Sequence, residues 1–180
     1  MGIGDHECDS SPLQIGQFES GDELWDKWLT TIYLEGGGGG NDGESYTLAW
    51  YFAGKHTAID CFDKRKKKGF LFTVGDEKPL KTIPAHNLKE IMGDGQYENF
   101  DSLALLDKAK ELYDVFHIHI HETGAGQRQE TIDTWKQLLG DHLLIAEKKE
   151  DVAKIIADTV LNREGVKLSP TEPKKEDIIL

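Results

Sequence analysis

The chain has 180 residues, 38% hydrophobic and 30% charged, enough for one domain with a genuine core beneath a large solvated surface. Lys and Arg total 21 against 33 Asp and Glu, a net charge of −12, which argues against a nucleic-acid backbone or an anionic membrane as the main partner and permits a cation. The two cysteines, Cys8 and Cys61, imply no disulfide framework and a reducing, cytoplasmic setting. No apolar run approaches the roughly 18 residues of a membrane span, and no basic-then-apolar leader opens the chain.

Residues 1–9 read as the end of a strand running straight into a polar loop, an abrupt opening that suggests a missing upstream element. Residues 13–19 alternate apolar and polar through Leu13, Ile15 and Phe18, the pattern of a half-buried edge strand. Ser20 with Glu23 three residues on forms a capping box. Leu24, Trp25, Trp28, Leu29, Ile32 and Tyr33 then follow at helical spacing, up to the glycine run at 36–40. Glu44 and Ser45 open a second helix with Leu48, Ala49, Tyr51, Phe52, Ile59 and Phe62 on its apolar face, weakened by Gly54 and closed by the basic run 64–68. Residues 70–75 are a continuous apolar and β-branched run between turn residues, which predicts a fully buried parallel strand ending at Asp76 and Glu77.

Residues 78–84 form a loop, 86–92 a short helix and 93–95 a turn. A helix over 102–114 leads into an alternating strand over 115–121. A helix over 128–139, a strand over 143–146 and a helix over 151–162, stopped by Gly165, complete the pattern. From residue 44 onward helix and strand alternate, which predicts a parallel sheet wrapped by helices. The domain is placed at 1–165. Residues 166–180, polar and carrying Pro170 and Pro173, read as a mobile tail.

In open α/β sheets, function gathers beyond the carboxyl ends of the strands. Asp76 lies there, and the glycine run 36–40 leads to the oxygen donors Asp42, Glu44 and Ser45 at a helix start. Hard oxygen donors suit Mg²⁺ or Mn²⁺ rather than a soft metal. The same glycine run also reads as a flexible linker, and Glu44 and Ser45 also read as plain helix caps. As a phosphate loop it lacks the Lys-Ser or Lys-Thr ending and follows a helix. His117, His119 and His121 share one strand face. Same-face neighbours stand about 6.6–7 Å apart, awkward for three-way ligation of zinc, and His121 at the carboxyl end is the member expected to reach the site. Cys8 has no second cysteine at a zinc spacing and reads as a loop thiol. The four tryptophans fall in helices and read as core or groove residues.

Four stretches together resemble the von Willebrand factor A-type domain, in its bacterial and phage intracellular branch. They are residues 3–9, the glycine loop 36–45 leading into Tyr46-Thr47-Leu48-Ala49, the strand 69–77, and residues 135–139 before the last strand; the resemblance spans about 1–163. It implies a Rossmann-like, doubly wound, mainly parallel α/β sheet with one short antiparallel edge strand at 13–18. It also implies a metal-ion-dependent adhesion site, usually holding Mg²⁺, whose open coordination position a partner's carboxylate fills. Carried over by position, the metal ligands are Asp76 and, from the glycine loop, Asp42, Glu44 or Ser45.

The family's Asp-x-Ser-x-Ser motif, at the end of its central first strand, occurs nowhere here; Asp9-Ser10-Ser11 has the wrong spacing. The chain begins where the family's second strand is ending, so Mg²⁺ or Mn²⁺ binding is expected to be weak or absent. The strands flanking the lost one would face each other across a gap of about 9.6 Å. Either the sheet closes up, or another segment or chain fills the slot.

The leading expectation is therefore a non-enzymatic protein–protein interaction module. Its partner is another protein, with no nucleic acid and no membrane. The alternatives are a metal-dependent hydrolase or phosphotransferase using Asp76, Asp42 and the histidine strand, and a structural adaptor whose sheet is completed by a partner strand or by self-association.

Overall fold

A computed structural model describes residues 1–36, 41 and 43–166. The chain opens with β1 (Gly2–Ile3), pairs antiparallel with β2 (Leu13–Gln14) and enters helix α1 (Asp22–Thr31). After the glycine loop come α2 (Tyr46–His56), α3 (Asp60–Arg65) and β3 (Gly69–Gly75). A short antiparallel pair, β4 (Thr82–Ile83) with β5 (Phe100–Asp101), brackets α4 (Ala85–Met92). The last third is α5 (Ser102–Leu112), β6 (Tyr113–Ile120), α6 (Gln129–Leu139), β7 (Leu143–Ala146) and α7 (Val152–Arg163).

The fold is mixed α/β around a parallel three-stranded sheet in the order β3-β6-β7, compatible with a Rossmann-like arrangement. Its register sets Thr73 opposite His117 and Gly75 opposite His119. Helices cover both faces, because β6 is apolar on both. On one face Leu71, Tyr113 and Val115 join the main core with Leu48 and Trp50 of α2, Leu105, Leu106 and Ala109 of α5, and Trp135 of α6. On the other, Ile118 and Ile120 meet Val152, Ile155 and Ile156 of α7.

Gly54 is the close-packing point of α2 rather than its weak one. A Cβ there would sit 3.0 Å from the Ala109 backbone nitrogen, so its absence lets α2 and α5 approach at backbone distance. The helix also ends sooner than its apolar spacing suggests. It stops at His56, and Ile59 and Phe62 belong to the turn into α3 and to α3 itself.

Several expectations change near the amino end. The edge strand predicted over 13–19 pairs only at Leu13–Gln14. Helix α1 begins after Gly21, with no side-chain cap from Ser20, and ends at Thr31, before the glycines. None of its residues is buried. Trp25 is 56% and Leu29 60% exposed, because no described element lies over that side. β3 is not fully buried either. Val74 is 43% exposed, since β3 pairs with β6 on one edge and with no described strand on the other. The pair β4–β5 was not predicted; each strand has two residues, too short for a period to register. The tail beyond 166 lies outside the described residues. Among the described residues no helix is long and apolar enough to cross a membrane.

Candidate functional site

The open edge of β3 and the segment from Met1 to Gly4 border one cleft of about 430 Å³. Tyr46 and Ala49 of α2 also line it, as do Phe72 to Asp76 along β3. Both bordering strands end at the same acidic mouth: Asp9 follows β1, Asp76 follows β3, and Glu44 lies on the same wall.

Glu44 is seated where the loop before α2 crosses the segment after β3. Its N–H donates to the Lys78 carbonyl (2.9 Å) and its carbonyl accepts from the Leu80 N–H (3.0 Å). The carboxyl is pushed up to about 7 by burial first, and then by the charges of Asp5, Asp9, Glu77 and Asp76. Four carboxylates thus act on Glu44, and with it they concentrate negative potential that attracts a cationic group.

Ser45 and Asp5 form a buried knot behind Glu44. The Ser45 hydroxyl accepts from the His6 N–H at 2.8 Å and lies 2.7 Å from His6 Nδ1. It makes no cap hydrogen bond to α2. The capping reading of Ser45 is therefore replaced by a tether between α2 and the loop after β1. Asp5 accepts from the Glu7 N–H (2.8 Å) and from Asn41 Nδ2 (2.6 Å), which also donates to Glu7 at 2.7 Å. Asp5 lies 2% and His6 7% exposed. Their importance had no signal in the sequence beyond their place after a short apolar segment.

Of the four predicted ligands, Glu44 and Asp76 line the common cleft. Ser45 is buried and committed to His6. Asp76 accepts from the Thr123 hydroxyl at 2.6 Å, so the loop after β6 holds that carboxylate in place. Asp42 lies outside the described residues. Among those described, no group of three or more His, Cys, Asp or Glu side chains is arranged to hold a metal ion. With Ser45 turned to His6 and Asp76 to Thr123, the donors in place do not close around Mg²⁺ or Mn²⁺, which require near-octahedral oxygen geometry or several oxygen ligands.

The histidine strand does not serve this cleft. His117 and His119 are fully buried and do not line it. His117 stacks on Trp135 with ring centroids 3.5 Å apart, and its Nδ1 lies 2.9 Å from the Thr73 hydroxyl. His119 Nε2 donates to the Gly126 carbonyl at 2.7 Å. His121, expected to reach the shared site, instead meets Glu147 at 3.1 Å, on the side of β7. Period-two alternation placed the rings on one face correctly, but it could not say that a tryptophan from α6 would cover that face.

The raised Glu44 carboxyl makes a stability prediction. The unfolded chain ionises near 4.5 and the folded chain near 7, so stability is full below 4.5 and declines as pH rises through about 7. At about 1.4 kcal/mol per unit the shift corresponds to ~3 kcal/mol, which solvent screening at a half-exposed group reduces to about 1 kcal/mol. Glu44→Gln should therefore raise the melting temperature by about 2–4 °C at pH 8 and leave it unchanged at pH 4. A thermal melt at both pH values checks this, and equal effects at the two would refute it.

Comparison with protein-family models, with curated proteins and with solved structures finds no match.

Proposed function

We propose that this chain is a non-enzymatic protein-binding module of the von Willebrand factor A type, which captures a cationic group of its partner in the acidic cleft. The finer architecture belongs to the same proposal. The pair β2-β1 and the sheet β3-β6-β7, set on either side of the cleft, form a doubly wound Rossmann-like sheet lacking one central strand. The observation that carries the reading is the set of carboxylates lining that cleft, Asp9, Glu35, Glu44 and Asp76, with the Glu44 carboxyl pushed up by burial and by its acidic neighbours. Support against the hydrolase reading comes from the histidines, which are engaged by Thr73, Trp135, Gly126 and Glu147. A bound divalent cation would be an accessory here, because Ser45 and Asp76 already have protein partners.

Selection of a random peptide library on the immobilised domain tests the proposal. Enriched peptides should carry Lys or Arg. Their binding should fall at least tenfold in Asp76→Asn with Glu44→Gln, and should weaken at 0.5 M salt. Binders indifferent to both substitutions and to salt would overturn it. Melting with Mg²⁺, Mn²⁺ and Zn²⁺ separates the remaining readings. Stabilisation by Mg²⁺ or Mn²⁺ that Asp76→Ala removes would restore a resident adhesion-type cation. A preference for Zn²⁺ that depends on His119 would support the hydrolase.

A further inference from the structure

The cleft borders are backbone. β3 has one edge hydrogen-bonded to β6, and its other edge meets no described strand. β1 likewise pairs with β2 on one side only. The two free borders line the same cleft, together with the acidic residues that follow them. An unpaired N–H and C=O row is a template for a further strand, and here two such rows face one hollow. The floor comes from Tyr46 and Ala49 of α2, both buried. The exposed Val74 (43%) lies on the free edge.

We infer that the cleft between β1 and β3 is a β-addition site for an extended segment of a partner protein, apolar on the side facing α2 and carrying Lys or Arg where it emerges between Asp9, Glu44 and Asp76. This rests on the protein-binding reading above and specifies its mode. Charge selects the occupant. The mouth repels acidic segments, and a net charge of −12 opposes insertion of a second copy of this chain. Main-chain hydrogen bonds to both borders supply affinity, while the cation supplies orientation and selectivity. A segment lying along Phe72 to Asp76 spans the last four residues of β3 and Asp76 beyond it, about 13 Å at the rise of a strand.

The test uses two blocked synthetic peptides on the full chain, acetyl-Thr-Val-Thr-Ile-Val-Lys-Arg-amide and the same peptide with Lys-Arg moved to the amino end. Hydrogen exchange read by mass spectrometry supplies the second measurement. One of the two peptides should bind at least tenfold more tightly than the other, because one places its cations at the mouth. Binding should slow exchange at least tenfold over residues 1–4 and 72–76, leaving the opposite sheet edge at 143–146 unchanged. N-methylation at alternate peptide nitrogens should weaken binding at least tenfold, whereas Asp76→Asn should weaken only the better-oriented peptide.

Binding that survives N-methylation and leaves 72–76 unprotected would overturn strand addition while leaving carboxylate-dependent capture intact. Absence of binding by either peptide up to 1 mM would overturn strand addition as well, and the library selection above would then decide separately whether the module binds proteins at all. Protection, without peptide, of the alternate N–H groups of 72–76 that point away from β6 would also overturn it. If that protection rises with protein concentration the occupant is a second copy, and if it vanishes on deletion of 167–180 the occupant is the chain's own terminal segment.

Discussion

Gly75→Ala should lower stability by about 2–3 kcal/mol, near the top of the range for overpacking a well-packed site. A Cβ at residue 75 would stand 1.9 Å from the Tyr46 hydroxyl and 2.8 Å from its ring carbon Cζ. Tyr46 has nowhere to go. It is 5% exposed, with His117 and Trp135 both packed edge to face at 5.2 Å. Burial, and then the carboxylates of Glu44, Asp76 and Glu77, hold its hydroxyl well above the ordinary tyrosine range, against a hydrogen bond with the Glu77 backbone. The phenol is therefore a neutral strut between α2 and the end of β3.

The expected fall in melting temperature is about 4–12 °C for a chain of this size. Tyr46→Phe removes the closest clash and leaves the one at 2.8 Å, so the double substitution should lose at least 1 kcal/mol less than the sum of the two single losses. Urea unfolding of the four proteins measures this coupling. Simple additivity would mean that the strand shifts instead of pressing on Tyr46. Because Gly75 and Tyr46 both line the cleft, the single substitution should also impair peptide binding beyond what its stability loss predicts.

Acid sensitivity below pH 6.5 should trace largely to His117. Burial first, and then His119, hold its ring well below the ordinary histidine value. The hydrogen bonds give the same answer independently. The Thr73 hydroxyl donates to the Phe116 carbonyl at 3.3 Å, so it accepts from His117 Nδ1. Nε2 is buried with no hydrogen-bond partner. A second proton there would find no acceptor among the described residues, and the ring lies against Trp135 and Tyr46.

The sign follows directly. Above about 6.5 the ring is neutral in both states and its stabilising contacts are intact. Below 6.5 the unfolded chain takes up the proton first, and stability falls by about 1.4 kcal/mol per pH unit until the folded ring also titrates. His117→Leu should remove most of that slope whatever it costs at pH 8, as measured by urea unfolding at pH 8, 6.5 and 5. An unchanged slope would assign the acid sensitivity to another group. Glu44 works in the opposite direction over 4.5–7, so Glu44→Gln should steepen the acid-side loss seen in the parent chain.

The carboxylate cluster was partly legible in the sequence. Glu44 and Asp76 stand at element ends, where oxygen donors in α/β sheets are exposed beyond the strands. Asp5 and Asp9 fall in the stretch 3–9 that carries the family resemblance, which does not place them among the metal ligands. Nothing local marks them, since their role comes from a loop that folds back over Ser45 through bonds 39 and 40 residues apart in sequence. The histidines mislead for a related reason. Alternation fixes which side of a strand a ring occupies, while the chemistry of that side depends on Trp135, which arrives from another helix.

What the sequence determined by itself is the succession of the longer helices and strands from residue 44 onward, β3, α4, α5, β6, α6, β7 and α7, because 3.6 and 2.0 periodicities are local properties of the chain. The alternation of helix and strand made a helix-covered parallel sheet the outcome. Only the tertiary structure decided which edges stay unpaired, that α1 carries its aromatic residues uncovered, and that Asp9, Glu44 and Asp76 line one cleft. Strand pairing and charge convergence are sums over segments distant in sequence, so no window of the chain contains them.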